Sequence, residues 1–170
     1  MAVNIQYGTD AALTVTNLHS LASSSTLTAG WTSALINNTA TKAMDYMISG
    51  QIKVHNTVAP TDGTQIELWA YSCLLDTPTW PDLFSAGTEG TEGTATIHDT
   101  EIKASGLVAL WSTKVDTGTG DVYTIPYTSI REAFGVVPPY FALFVTQNTG
   151  QTLHSATNAL YYMPIDYTVA

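Results

Sequence analysis

Four histidines, His19, His55, His98 and His154, are the residues of this chain best suited to metal binding or proton transfer. They are widely separated, and none forms an HExxH pair or a close cluster with carboxylates of the kind metal sites often use. Strands can bring distant residues together, but the spacing itself reads as isolated surface or turn histidines. Asp116 and Asp121 flank a Gly-Thr-rich turn and offer hard oxygen ligands for calcium. The EF-hand pattern is absent, and Asp and Gly are the expected residues of any hairpin loop. Glu89 and Glu92 could be cast as the carboxylate pair of a glycoside hydrolase. They stand in a glycine-rich stretch without rigid support, so they read as a solvated loop. No GxSxG elbow, P-loop or GxGxxG is found, which removes the common routes to acyl, phosphoryl and hydride transfer. The expectation is a protein that is not an enzyme, with no catalytic residue, no metal and no cofactor.

Cys73 is the single cysteine, so neither an intramolecular disulfide nor a cysteine zinc site can form. It lies in the apolar run 69–75 and reads as a buried, inert thiol. Trp31, Trp69, Trp80 and Trp111 could include a stacking platform for sugars. Trp69 and Trp111 fall within strand patterns and read as packing. Trp80 stands in a loop between Pro78, Pro81 and Asp82 and is the one candidate for contact with a partner.

The elements that must position these residues are short β segments separated by turn formers, as in a sandwich or barrel. Residues 42–54 alternate across Ser49-Gly50, with Met44, Tyr46 and Ile48 sharing a face that Ile52 and Val54 continue; a glycine there signals a bulge or bend. Pro60-Thr61-Asp62-Gly63 turns the chain into a strand over residues 64–75, apolar on both faces and therefore central. Two prolines make residues 76–82 a loop, and residues 86–100 read as a second exposed loop. A strand over residues 105–115 turns through the Asp116 to Asp121 hairpin into residues 122–127. Ser129-Ile130-Arg131-Glu132 fits a capping box, predicting one short helix over residues 129–134, stopped by Gly135 and Pro138. The dense apolar strand 140–146 and a last strand over residues 158–169 follow, with Pro164 implying a sheet edge or a bend. About eight strands emerge, giving an all-β fold: an antiparallel β-sandwich, jelly-roll-like, with one short helix. Residues 1–25 are an N-terminal arm or edge segment, and residues 26–170 form a single β-sandwich domain.

A length of 170 residues fits one domain, and 45% hydrophobic content is ample for a core. Only 11% of residues are charged, against roughly 25% in ordinary soluble proteins, so much of the surface is neutral and suited to protein contact. The net charge of -9, from 5 basic against 14 acidic residues, predicts repulsion from phosphate backbones and anionic membranes. The expected partners therefore include no nucleic acid and no membrane. Residues 1–6 show neither a basic n-region nor an apolar span, so synthesis in a cytoplasm is expected.

A resemblance to a known family is carried by Leu21-Ala22-Ser23-Ser24-Ser25-Thr26, Ala29-Gly30-Trp31, Asn37-Asn38-Thr39 and the strand 44–54. It continues through the run from Tyr71-Ser72-Cys73 to Trp80-Pro81-Asp82, and through the run from Tyr140-Phe141 to Asn148-Thr149-Gly150. In the order of these features the chain resembles small structural proteins encoded among the head genes of tailed bacteriophages, in particular capsid decoration or cement proteins. The resemblance implies a place on the capsid exterior of the virion, a major capsid protein as partner, and a homotrimer at threefold positions. It transfers no individual contact residue. The alternative is a tail- or fibre-associated protein that binds a receptor or glycan through aromatics around Trp80; a glycan hydrolase would require carboxylates converging in a cleft.

Overall fold

The computed structural model describes residues 3–73, 75 and 77–169, so Leu74 and Asp76 of the expected strand and loop lie outside the described residues. In chain order the strands are β1 (Val3–Tyr7), β2 (Ala11–Ala12), β3 (Ala29–Thr32), β4 (Ile36–Asn37), β5 (Asp45–Lys53) and β6 (Gln65–Ser72). They continue as β7 (Phe84–Ala86), β8 (Gly93–Ile97), β9 (Val108–Lys114), β10 (Val122–Ser129), β11 (Tyr140–Gln147) and β12 (Ala159–Val169). Three short helices, α1 (Asn38–Thr41), α2 (Thr100–Gly106) and α3 (Ile130–Phe134), interrupt them.

The first sheet runs β1-β12-β5-β10, with β2 also on β12; the second runs β7-β8-β3-β11-β6-β9, with β4 on β11. Eight strands carry the architecture, namely β1, β3, β5, β6, β9, β10, β11 and β12 in chain order. The first of these pairs with the eighth, the second with the seventh, the third with the sixth and the fourth with the fifth, every pair antiparallel. A long hairpin folded over itself in this way, its pairs alternating between two sheets, is a jelly roll. The expected all-β sandwich is therefore the observed one.

The main core lies between the sheets. Tyr46, Ile48, Ile52 and Val54 face Ile66, Leu68 and Ala70 and the row Phe141, Leu143, Val145, all buried. The intervening residues of β6 and β11, Tyr71, Ala142 and Phe144, enter a second core with Leu83, Phe84, Ala95, Ile97 and Leu107. That second core sits on the outer side of the second sheet. It is roofed by the long excursion between β6 and β9, which carries β7, β8 and α2. The burial of nearly all of β11 and most of β6 on both faces follows from this roof. Leu18 and Leu21, from the stretch before β3, also enter the main core.

Several local expectations are corrected. The capping box does start α3, with Ser129 accepting from the Glu132 N–H at 2.9 Å and Gly135 in the left-handed region at φ 78°. It is joined by two helices that were not expected. Asn37 caps α1 by accepting from Thr39 N at 2.8 Å, and Asp99 caps α2 by accepting from Ile102 N at 2.7 Å. Because α2 extends to Gly106, the strand expected from Ser105 begins at Val108; residues 86–100, expected as loop, contain β8. Met44 precedes β5 and is exposed, leaving the face to Tyr46 and Ile48.

Pro164 sits in an interior strand, between β1 and β5, and not at an edge. In an antiparallel ladder the N and C=O of one residue point to the same side. The Pro164 carbonyl accepts from Gly8 N at 2.8 Å, so its missing donor faces the gap between β1 and β2, where no ladder bond is lost to β5. The gap needs Gly8: a Cβ there would lie 2.7 Å from the proline ring.

Candidate interaction surface

Side chains alternate across a strand, so the residues between the buried ones of the first sheet point away from the core. On β5 these are Met47, Ser49 and Gln51, and the register sets Met163, Tyr161 and Ala159 of β12 directly opposite them. Farther along the same face Ile5 of β1 opposes Tyr167 and Tyr7 opposes Ile165. None of these ten positions carries a charge; Ile165 among them is buried, and the charged residues of β5 on this side, Asp45 and Lys53, stand at the two ends of the strand. Ile5 is 56% exposed and Tyr7 64%, and Tyr161 and Tyr167 are also exposed. The corresponding face of the second sheet is covered by the chain's own second core, whereas among the described residues the first is closed only at its Asp45 end, by Ser129 and the start of α3.

Tyr127 stands at the margin of this face. The pairing of β10 with β5 shifts register between Ile125 and Thr128, and this bulge at an edge strand leaves Tyr127 70% exposed. Two hollows share its ring as a wall. One, of about 380 Å³, has Ser49, Gln51, Thr124 and Tyr161 along its sides and Gly50 in its floor. The other, of about 370 Å³, is lined by Tyr7, Met47 and Met163. Tyrosine and methionine are enriched where proteins bind proteins, since they bring large contact area without a charge to desolvate. Exposed tyrosines flanking receptive hollows can seat protruding side chains of a partner.

The tryptophans are spread elsewhere. Trp80 is half-buried, with its ring 5.2 Å from that of Tyr71 in edge-to-face contact, and Gly90, at φ +68°, packs against its other side. The Tyr71 hydroxyl in turn accepts from Gly90 N at 2.9 Å and lies 2.6 Å from Thr32 Oγ1. Burial pushes that phenol up to about 12, so it remains a neutral strut. Trp69 donates its indole N–H to Glu67 at 2.8 Å on the outer side of the second sheet, and Trp111 packs half-buried against the main core. Trp31 is fully buried.

Glu89 and Glu92 lie in the loop between β7 and β8, as expected, but both are half-buried and anchored. Glu89 Oε1 accepts from the backbone N–H groups of Leu83 and Phe84 at 3.1 and 3.0 Å. Glu92 accepts from Asn17 N, the Asn17 amide and the Trp31 indole at 2.9, 2.9 and 2.8 Å. The two carboxylates are tied to different parts of the fold and serve as clamps. Asp116 binds Gly118 N at 2.9 Å and the Tyr123 hydroxyl at 3.3 Å, which is ordinary turn chemistry. Cys73 is buried, its Sγ 2.9 Å from the Leu75 carbonyl.

The histidines are less isolated than their spacing implied. His98 lies 3.3 Å from Asp82, while His19, His55 and His154 gather around Asn158 and Lys53 at one end of the sandwich. Among the described residues, no three His, Cys, Asp or Glu side chains are placed to hold a metal ion. No described helix is long and apolar enough to cross a membrane.

No family model and no curated protein matches the sequence. Among solved structures the chain is similar to the unassembled KI polyomavirus VP1 pentamer, at 10% identity over 99% of this chain and 94% of that chain, with a TM-score of 0.35.

Proposed function

We propose that this chain is a non-catalytic structural component of a bacteriophage particle, which binds the outer capsid surface and stabilises the head by bridging capsid subunits. The observation that carries this reading is the uncharged Tyr and Met face of the first sheet, bare along β1, β12 and β5 and bounded by Tyr127. A chain that covers one sheet with its own excursion, yet leaves tyrosine and methionine side chains bare on the other, is suited to a partner on the open side. The partner is the major capsid protein, and the working unit is a homotrimer on the virion exterior.

The mechanism is additive burial. Each copy removes apolar area from water across more than one capsid subunit, and anything that binds only the assembled state stabilises it by mass action. A net charge of -9 suits a position outside the shell, away from packaged phosphate. Co-sedimentation of the purified protein with undecorated phage heads tests the reading, with tails and host cells as parallel targets. Saturable binding to heads, and a higher temperature of head disruption once bound, is the expected result. Binding only to tails or cells would overturn it in favour of an adsorption role.

A further inference from the structure

Three imidazoles from distant parts of the chain come together, and two of them, His55 and His154, are held in the same tautomer. His55 Nδ1 accepts from the backbone N–H groups of Thr57 and Val58 at 3.3 and 3.1 Å. His154 Nδ1 accepts from Ala156 N at 3.2 Å and lies 2.9 Å from Thr157 Oγ1. Asn158 lies against the third ring. Its Oδ1 accepts from Lys53 N at 2.9 Å, so its amide nitrogen faces the His154 carbonyl at 2.8 Å and, at 3.4 Å, both the Leu18 carbonyl and His19 Nδ1. With Nδ1 engaged as an acceptor in His55 and His154, the proton of each of these neutral rings resides on Nε2.

That wiring selects among ligands. A metal bound through Nε2 needs that lone pair free and the proton moved to Nδ1, where ligating histidines usually donate to an oxygen. Here Nδ1 faces N–H donors, so the rings present N–H groups and resist metal ligation. Lys53 adds a cation beside them and makes no ion pair among the described residues. The nearest acidic turn directs Asp116 to Gly118 N and Tyr123. Desolvation first, and then the neighbouring Lys53, His19 and His55, push the pKa of His154 below that of a free imidazole. Between His55 and His154 lies a cleft of about 290 Å³, bordered by Ser20, Asn56, Thr152 and Ser155. In a chain with net charge -9, this cleft gathers N–H donors close to one lysine.

We infer that this cleft binds a small oxyanion, a phosphate or a carboxylate, through the Nε2–H groups of His55 and His154, with the charge of nearby Lys53 favouring the anion. The chemistry is shared by a free inorganic anion and by an acidic side chain of another protein, and it does not depend on the capsid reading.

The experiment is a titration of the full chain with inorganic phosphate and with acetate, against chloride at matched ionic strength, followed by amide and imidazole NMR shifts at pH 7.5. Saturable shifts confined to Ser20, His55, Asn56 and residues 152–155 are expected with at least one of the two oxyanions. Phosphate alone would mark a free tetrahedral anion, and acetate would mark a carboxylate donor. Lys53→Gln removes a charge whose side chain bears no described hydrogen bond, and should weaken binding about tenfold. His55→Gln is the second variant and should weaken it as well. Shifts absent with both oxyanions, reproduced by chloride, or unchanged in both variants would overturn the proposal.

Discussion

Lys103 of α2 places its ammonium 2.8 Å from Glu67 Oε2 of β6, and both side chains are nearly buried. The pair is saturated: Glu67 also accepts from the Gln65 amide and the Trp69 indole, and Lys103 donates to the Leu27 carbonyl at 3.0 Å while lying 5.1 Å from the centre of the Trp69 ring. It bolts the excursion that carries α2 onto the outer side of the second sheet. Removing one partner leaves an uncompensated buried charge, so Lys103→Met should cost about 3 kcal/mol in denaturant unfolding. The double variant Glu67→Gln, Lys103→Met should recover most of that loss. A double variant as unstable as the single one would show that the attraction itself, and not the stranded charge, sets the cost.

Glu92 ties Asn17 and the buried Trp31 to the loop before β8. Burial tends to raise its pKa, but the Asn17 N–H, the Trp31 indole and the Asn17 amide outweigh this and hold it below the usual 4.5. A depressed carboxyl pKa contributes stability that is present above the unfolded value and is lost as pH falls through the folded one. The unfolding midpoint in urea should therefore drop from pH 5 towards pH 3. Glu92→Gln should lose about 1–3 kcal/mol at pH 6 and show a shallower acid decline. Parallel declines in the two proteins would exclude Glu92 as a source of the acid sensitivity.

Tyr127 and the tyrosines of the first sheet can be altered without touching the core. Tyr127→Ser and Ile5→Asp should leave stability within about 0.5 kcal/mol, because both residues are largely exposed. Combined, they should weaken binding to undecorated heads by about 30-fold or more, the effect of losing a contact hot spot. Full occupancy by this double variant, measured by sedimentation, would move the docking surface to another face.

The sequence by itself determined the β character and most strand positions, since period-two alternation and turn residues act within a few neighbours. It also determined α3, because Ser129 and Glu132 form a local capping pattern and Gly135 ends it locally. The same kind of signal was present at Asp99 before α2, but the surrounding Gly-Thr run masked it. The bare face of the first sheet was half legible: Tyr161 and Met163 were visible as apolar, but Leu160 and Tyr162 beside them are apolar too, so alternation could not say which side is covered.

Tertiary structure alone decided which sheet receives a roof, because that depends on where the excursion between β6 and β9 returns. It placed Pro164 inside a sheet, opposite the one glycine that admits its ring. It made a clamp of Glu92, whose partner Asn17 lies 75 residues away. It also gathered His19, His55 and His154 around Asn158, since strand pairing joins residues across the whole chain while sequence patterns report only on near neighbours.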